Sequence, residues 1–323
     1  MKTILILALD GVMASSLAIT IDTLNAGLGF LAATGKPHRI RIVTAGYKRH
    51  VSTGGGLTLR ADALFREIAA AGTKPDWIVI PGCGLVNDAA ITARFAQKDA
   101  TEALRLLQGM ADGSVRIGAS CSSVFLLAEA GLLDGRRATT TWWLASAFRA
   151  RFPHITLEET RMVVSDGPCT TAGAAFSQLD LALVVVADTM GAGVARLCSR
   201  YMLIDHRASQ ARYMIPTHIQ HIDPTVVAAE RWIDDHLAAP ISVTTLSSAL
   251  AVSPKTLSRR IAAATGLPPI KFIQRRRLLH ASHLIETTSL SIEAVASRVG
   301  YQDGTALRKL IKREFGATPS ALR

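Results

Sequence analysis

Acidic side chains, aromatic rings and paired cysteines are all in short supply in this chain. Aromatics make up only 5% of its 323 residues. The four cysteines, Cys83, Cys121, Cys169 and Cys198, show no Cys-x-x-Cys spacing and no close histidine. A disulfide-stapled scaffold is thereby excluded, no zinc signature is present, and a reducing, cytoplasmic setting is expected, with neither metal nor cofactor. Long apolar runs are missing too. The most apolar stretch, 179–195, is interrupted by Asp180 and Asp188, which argues against a membrane-spanning chain. The opening MKTILILALD could pass for a secretory leader, but its apolar run stops at Asp10 and no small-x-small cleavage site follows. It is read as a first buried strand. An apolar share of 49% excludes disorder and collagen, and the length suggests two domains, each able to bury a core.

What the chain has in excess is positive charge: 36 Lys and Arg against 25 Asp and Glu, a net of +11. Residues 240–323 hold 13 basic and 4 acidic residues, a net of +9, which leaves +2 for everything before them. A basic block confined to one end points to nucleic acid as the partner of that end.

From residue 2 to about 204, short β-branched runs at 3–9, 40–45, 77–80 and 115–118 alternate with helical periodicity at 15–33, 99–110, 122–131, 142–151, 176–190 and 193–204. This pattern implies an α/β domain with a parallel sheet covered on both faces, a flavodoxin-like sandwich. Its functional residues are expected in the loops after the strand ends. Two such loops stand out, PGCG at 81–84 and GASCSS at 118–123. Residues 205–222 are polar, proline-containing and aperiodic, a linker between domain 1–204 and domain 223–323. The latter reads as helix throughout.

The basic domain contains a repeat. Ser242, Leu246 and Leu250 correspond to Ser291, Val295 and Val299, and Leu257, Ile261, Gly266 and Pro269 to Leu307, Ile311, Gly316 and Pro319. Each copy has a short helix opened by a capping serine, a tight turn at Ala251 or Gly300, and a second helix with a basic outer face. This is the helix-turn-helix layout, so the domain is all-α with two such motifs. A connecting helix from Pro269 to Glu286, carrying Lys271 and Arg275-Arg276-Arg277, would set the two reading heads about 27 Å apart at 1.5 Å per residue, close to one DNA turn. Double-stranded DNA is the expected partner, with Arg276 on phosphate. Residues 223–323 resemble the AraC family of transcriptional regulators, most clearly in YQDGTALRKLIKREFGATPSALR. The resemblance implies base contacts from Lys255, Ser258 and Arg259 in the first copy and from Gly304, Thr305, Arg308 and Lys309 in the second. Leu307 and Ile311 stand where that family usually has aromatics, which leaves the operator sequence unreadable.

In the first domain, Cys121 sits between the strand VRIG and the helix SSVFLLAEAG. A strand-to-helix elbow pushes a side chain outward, and the helix N-terminus lowers a thiol pKa. The PGCG loop could aim backbone N–H groups at the same point as an oxyanion hole. Residues 2–204 resemble the PfpI-like, amidotransferase-fold domain found fused to AraC-type domains, through GASCSSVFLLAEAGLLDGRRATTTW and AGAAFSQLDLALVVV. Cys121 falls on that family's nucleophile. Its enzymes need a histidine where this chain has Thr141 and commonly a glutamate where it has Ser16, and an alcohol is far too weak a base near neutral pH. His38, His50, His154, His206, His218 and His221 lie outside this segment; His154 could approach in space but is read as a surface or capping residue. No catalytic residue is assigned.

A pocket without its base can still bind. Asp10, Cys83, Cys121, Thr141 and Trp142 are the expected ligand-binding residues at the carboxyl end of the sheet. The combined expectation is a transcriptional regulator that responds to a small metabolite. The resemblance implies an activator responding to an amino acid or quaternary amine, forming a homodimer; an activator would add RNA polymerase as a partner, and no membrane is involved. The alternatives are a cysteine hydrolase or glyoxalase-like enzyme using Cys121, or a thiol redox sensor.

Overall fold

The computed structural model describes residues 1–34, 39–110, 112–205, 207, 209–215, 221 and 223–323. His38, His206 and His218 lie outside that set, as do 206, 208, 216–220 and 222 of the expected linker. The chain forms two compact units: Met1–Thr141 with His154–Ala208, and Trp142–Pro153 with Ser209–Arg323.

The strands of the first unit are β1 (Lys2–Ala8), β2 (Ile40–Gly46), β3 (His50–Ser52), β4 (Thr58–Arg60), β5 (Ala63–Leu64), β6 (Trp77–Ile80), β7 (Arg116–Ser120), β8 (Arg137–Ala138), β9 (Thr156–Leu157), β10 (Val163–Asp166) and β11 (Cys169–Ala172). Seven form one sheet in the order β10-β11-β7-β6-β1-β2-β5. All its pairings are parallel except β10 with β11. The parallel core was expected; the antiparallel edge adds to it. Strands buried on both faces need apolar residues at every position, and β1 supplies them. Ile4, Ile6 and Ala8 join Trp77 and Val79 in a core with α1 (Ala14–Ala33) and the late helices, while Leu5 and Leu7 are equally buried and by alternation face the opposite layer.

The helices of this unit continue with α2 (Phe65–Ala71), α3 (Asp88–Phe95), α4 (Lys98–Gln108) and α5 (Val124–Glu129); α6 (Ala145–Arg151) belongs to the second unit; α7 (Ser177–Met190) and α8 (Ala192–Tyr201) return to the first. By length and composition α1 is long and apolar enough to cross a membrane. Its Leu17 and Leu24 are nevertheless part of the same core as Leu181, Val185 and Val186 of α7, as a sheet-covering helix requires.

The second unit contains α6 and then α9 (Pro224–Asp235), α10 (Val243–Ala249), α11 (Pro254–Thr265), α12 (Pro269–Thr287), α13 (Ile292–Arg298), α14 (Gly304–Phe315) and α15 (Pro319–Leu322). Its internal repeat is structural. Ser242 Oγ accepts the Thr245 N–H at 3.0 Å and Ser291 Oγ the Ala294 N–H at 3.1 Å, so both first helices carry the expected cap. The second helices are capped by Ser253 and Asp303 and end at Gly266 and Gly316, each with φ +69°. Leu257, Ile261, Leu307 and Ile311 are fully buried. The turns match as well: Val252 and Tyr301 donate to the carbonyls of Ser247 and Ala296, and Ala251 and Gly300 are left-handed at φ +52° and +77°. At Gly300 a Cβ would stand 2.4 Å from the Leu237 carbonyl oxygen, so no side chain fits there.

Candidate functional site

Two regions carry chemistry. In the helical unit, Lys255, Arg259, Thr305, Arg308 and Lys309 are exposed and Ser258 is half-exposed. Lys255, Ser258 and Arg259 lie on α11 and the others on α14, the second helices of the two motifs. Arg308 donates to Glu293 Oε1 at 2.9 Å, an exposed pair linking α14 to α13. Gly304 differs from its expectation. It is buried, and a Cβ there would meet Glu293 Oε1 at 2.7 Å, so its part is to let α14 start close against α13, not to contact a base.

The arginine run on α12 is a second correction. Arg276 was expected on phosphate, but its side chain is only 4% exposed and is held by Glu230 at 3.0 Å and by both oxygens of Asp234 on α9. Burial pushes the Asp234 carboxyl up, but hydrogen bonds from His280 and Arg276 outweigh this and hold it below the usual carboxylate range. Arg275 lies 3.9 Å from Glu314, and Arg277 donates to the carbonyls of Gly300 and Ala239. Arg260 is likewise turned inward, onto Thr225 and Asp223 at the start of α9. These guanidiniums lock the bundle together. Of the α12 cations named from the sequence, Lys271 stays exposed.

The second region lies at the carboxyl ends of β1, β6 and β7. Cys121 has φ +54°, the strained elbow expected of a residue between strand and helix. Its environment is not the expected one. The side chain is 0% exposed, and burial pushes its pKa up to about 11 despite hydrogen bonds from Ser122 and Gly84. The outward-facing, acidified thiol is thus corrected to a buried, protonated one: desolvation of the thiolate outweighs the helix terminus. Cys83 lies close enough to raise it further, is itself pushed up by burial, and has its Sγ 3.5 Å from Ser123 Oγ. All four cysteines are free and buried.

The two loops are laced together by the serines. Ser123 Oγ donates to the Pro81 carbonyl at 2.8 Å, and Ser122 Oγ accepts the Leu85 N–H at 3.3 Å. Ser16 Oγ, from α1, accepts the Gly82 N–H at 3.0 Å. One of the N–H groups that an oxyanion hole would need is therefore already taken. Gly82 must be glycine, since a Cβ would lie 2.9 Å from the Cys121 Cβ. Thr140 Oγ1 donates to the Cys121 carbonyl at 2.8 Å, whereas the buried hydroxyls of Thr141 and Ser120 have no partner among the described residues. Asp10 lies just beyond the end of β1, and its polar groups are engaged by other residues. Its carboxylate accepts the Ser52 N–H at 3.1 Å, its own N–H donates to Asp99 at 2.8 Å and its carbonyl accepts from Arg94. Trp142 is buried edge-on to Trp143, with ring centroids 5.2 Å apart, and is counted with the second unit. His154 is exposed, as expected.

Residues 2–188 match the DJ-1/PfpI family. The chain belongs to that family. Residues 246–323 match a helix-turn-helix domain. Among curated relatives, the HTH-type transcriptional regulator GlxA of Rhizobium meliloti is 30% identical over 65% of this chain and 65% of its own length. The HTH-type transcriptional regulator CdhR of Pseudomonas aeruginosa is 26% identical over 64% and 62%. The chain therefore spans just under two thirds of either relative. Two solved structures share the fold: an AraC family transcriptional regulator from Pseudomonas putida (TM-score 0.51, 19% identity, 62% of this chain and 100% of that one) and Drosophila melanogaster DJ-1beta (TM-score 0.51, 18% identity, 64% and 99%).

Within this DJ-1/PfpI domain, sequence reasoning missed one feature of the site. Arg94 and Asp99 form a two-pronged ion pair, at 3.0 and 2.5 Å, whose side chains are 8% and 4% exposed. They lie on either side of the break between α3 and α4 and hold the Asp10 backbone in place. No periodicity announces such a pair, because their spacing fits neither helix.

Proposed function

We propose that this DJ-1/PfpI-family chain is a sequence-specific DNA-binding transcriptional regulator whose first domain has given up catalysis and holds a small-molecule effector instead. The observation that carries the reading is the structural repeat. Two helix-turn-helix copies with matching caps, turns and buried positions present Lys255, Ser258 and Arg259 from one second helix, and Thr305, Arg308 and Lys309 from the other. The names of the curated relatives support it. DNA contact through the first turns of the second helices is the ordinary use of this motif.

The loss of catalysis is supported by chemistry. Thr141 and Ser16 are alcohols, one without a partner and the other accepting from Gly82, and Cys121 is a buried thiol. The same burial weighs against a hydrolase, a glyoxalase-like enzyme or a peroxide sensor, each of which needs an accessible thiolate. The effector site proposed is the rim formed by Asp10, Cys83, Cys121 and Thr141, with Trp142 nearby in sequence; the unpartnered Thr141 hydroxyl favours a polar ligand group. An amino acid or quaternary amine, a homodimer and activation through RNA polymerase complete the proposal.

Footprinting of the purified chain on a pool of genomic fragments, against excess random competitor, tests it. Protection of two segments about one helical turn apart is expected. Equal retention of all fragments would remove the reading. The first domain is checked separately by assaying wild type and Cys121→Ser on thioester, amide and dicarbonyl substrates, where equal background rates are expected.

A further inference from the structure

The first unit contains a cleft of about 390 Å³ that shares no residue with the Cys121 rim. Its floor is apolar, formed by Val163 of β10, Leu183 and Val184 of α7, Ala195 of α8 and Ile204 beyond it. Around the floor stand three guanidiniums, Arg161, Arg196 and Arg207, against two carboxylates, Asp180 and Asp205. The cations are not equivalent. Arg207 is neutralised by Asp180 at 2.5 Å and donates to the Phe176 carbonyl at 3.0 Å. Among the described residues, Arg161 has only a long, exposed pairing with Glu158 at 3.9 Å. Arg196 is exposed, with no carboxylate at ion-pair distance among the described residues. The rim therefore keeps an excess of positive charge above a greasy floor.

The chain accepts local strain to form this wall. Leu203 is left-handed at φ +55° and 92% exposed, at a helix end where glycine is the usual residue. The turn it makes is closed by Leu203 N–H to the Arg200 carbonyl at 3.3 Å and Ile204 N–H to the Ser199 carbonyl at 2.8 Å. That pair of bonds folds Ile204 back onto the cleft. A strained residue kept where an unstrained one would serve is a pointer to use. The volume lies in the range of small-molecule sites.

We propose that this cleft binds an aliphatic monocarboxylate of medium chain length, with the hydrocarbon tail on the floor and the carboxylate at Arg196 and Arg161. The proposal is independent of DNA binding and of the Cys121 rim. Calorimetric titration of the full chain with octanoate tests it, with octylamine, octanol and acetate as comparisons. Octanoate saturates one site per chain in the micromolar to millimolar range. Octylamine and acetate do not bind, because one reverses the head charge and the other lacks the tail, and octanol binds at least tenfold more weakly. Arg196→Gln, an exposed substitution that leaves the core untouched, raises the Kd about fivefold or more. Ala195→Trp fills the floor and abolishes binding, whereas Cys121→Ala leaves it unchanged. The assignment is overturned if octanoate fails to saturate, if octanol matches it, or if Arg196→Gln binds like wild type.

Discussion

A thiol beside helix N–H groups is ordinarily acidified, and Cys121 has such groups from Ser122 and Gly84 around it. It titrates near 11 instead, because the same loops that supply these donors also seal it from water. The consequence for stability has a definite sign. The folded pKa is raised above the ordinary 9.0, so the thiol's contribution is intact below pH 9 and is lost as the pH climbs through 11. The loss is on the order of 2–3 kcal/mol for a shift of this size. Urea unfolding at pH 8.5 and pH 11 should show Cys121→Ala losing less stability over that interval than wild type by about this amount. A pH dependence identical in the two proteins would show that the thiol is not desolvated. At this scale the residue types were legible, since Thr141 and Ser16 are alcohols whatever surrounds them. The orientation of Asp10 was not legible. It depends on Ser52, Arg94 and Asp99, which only the folded sheet brings to the end of β1.

Among the elements, those with long periodicity were legible nearly to the residue. The connecting helix expected from Pro269 runs from Pro269 to Thr287, and the capping serines 242 and 291 open the helices they were expected to open. Short elements escaped: α2, α3, the β3–β4 hairpin and the β10–β11 edge have too few residues to show a period, and their pairing is tertiary. The arginines of α12 escaped for another reason. Arg276 is three positions from Ile273 and three from Leu279, both buried, and so shares their inward face, but the carboxylates that meet it lie on α9. A buried pair broken on one side strands a charge. Arg276→Ala is therefore expected to cost about 3–5 kcal/mol of stability in denaturant unfolding. Arg259→Ala, on an exposed face, should leave the unfolding midpoint alone and lower specific DNA affinity by about 1–3 kcal/mol where it meets a base. Stability unchanged in Arg276→Ala would return that residue to the phosphate-contact role.

Across the whole molecule, the charge that first suggested nucleic acid divides into two populations. Of the surplus of +9 in residues 240–323, part is spent inside the helical unit, where Arg260, Arg275, Arg276 and Arg277 hold helices to one another and to turn carbonyls. Apart from Arg323, which donates to the Leu290 carbonyl, the cations left exposed without a carboxylate partner among the described residues are Lys255, Arg259, Lys271, Arg298, Lys309, Lys312 and Arg313. Only cations free to neutralise phosphates release counterions, at roughly 0.9 per phosphate on duplex DNA. The logarithm of the binding constant should accordingly fall against the logarithm of salt with a slope no steeper than about −6 per chain, where full use of the basic residues would give about −12. Titrating DNA with the protein across a salt series measures this directly. Lys309→Ala should make the slope shallower by about one, whereas Arg277→Ala should leave it unchanged while loosening the turn at Gly300. A slope near −12 would mean that the internal arginines turn outward on DNA and that the helical unit repacks when it binds.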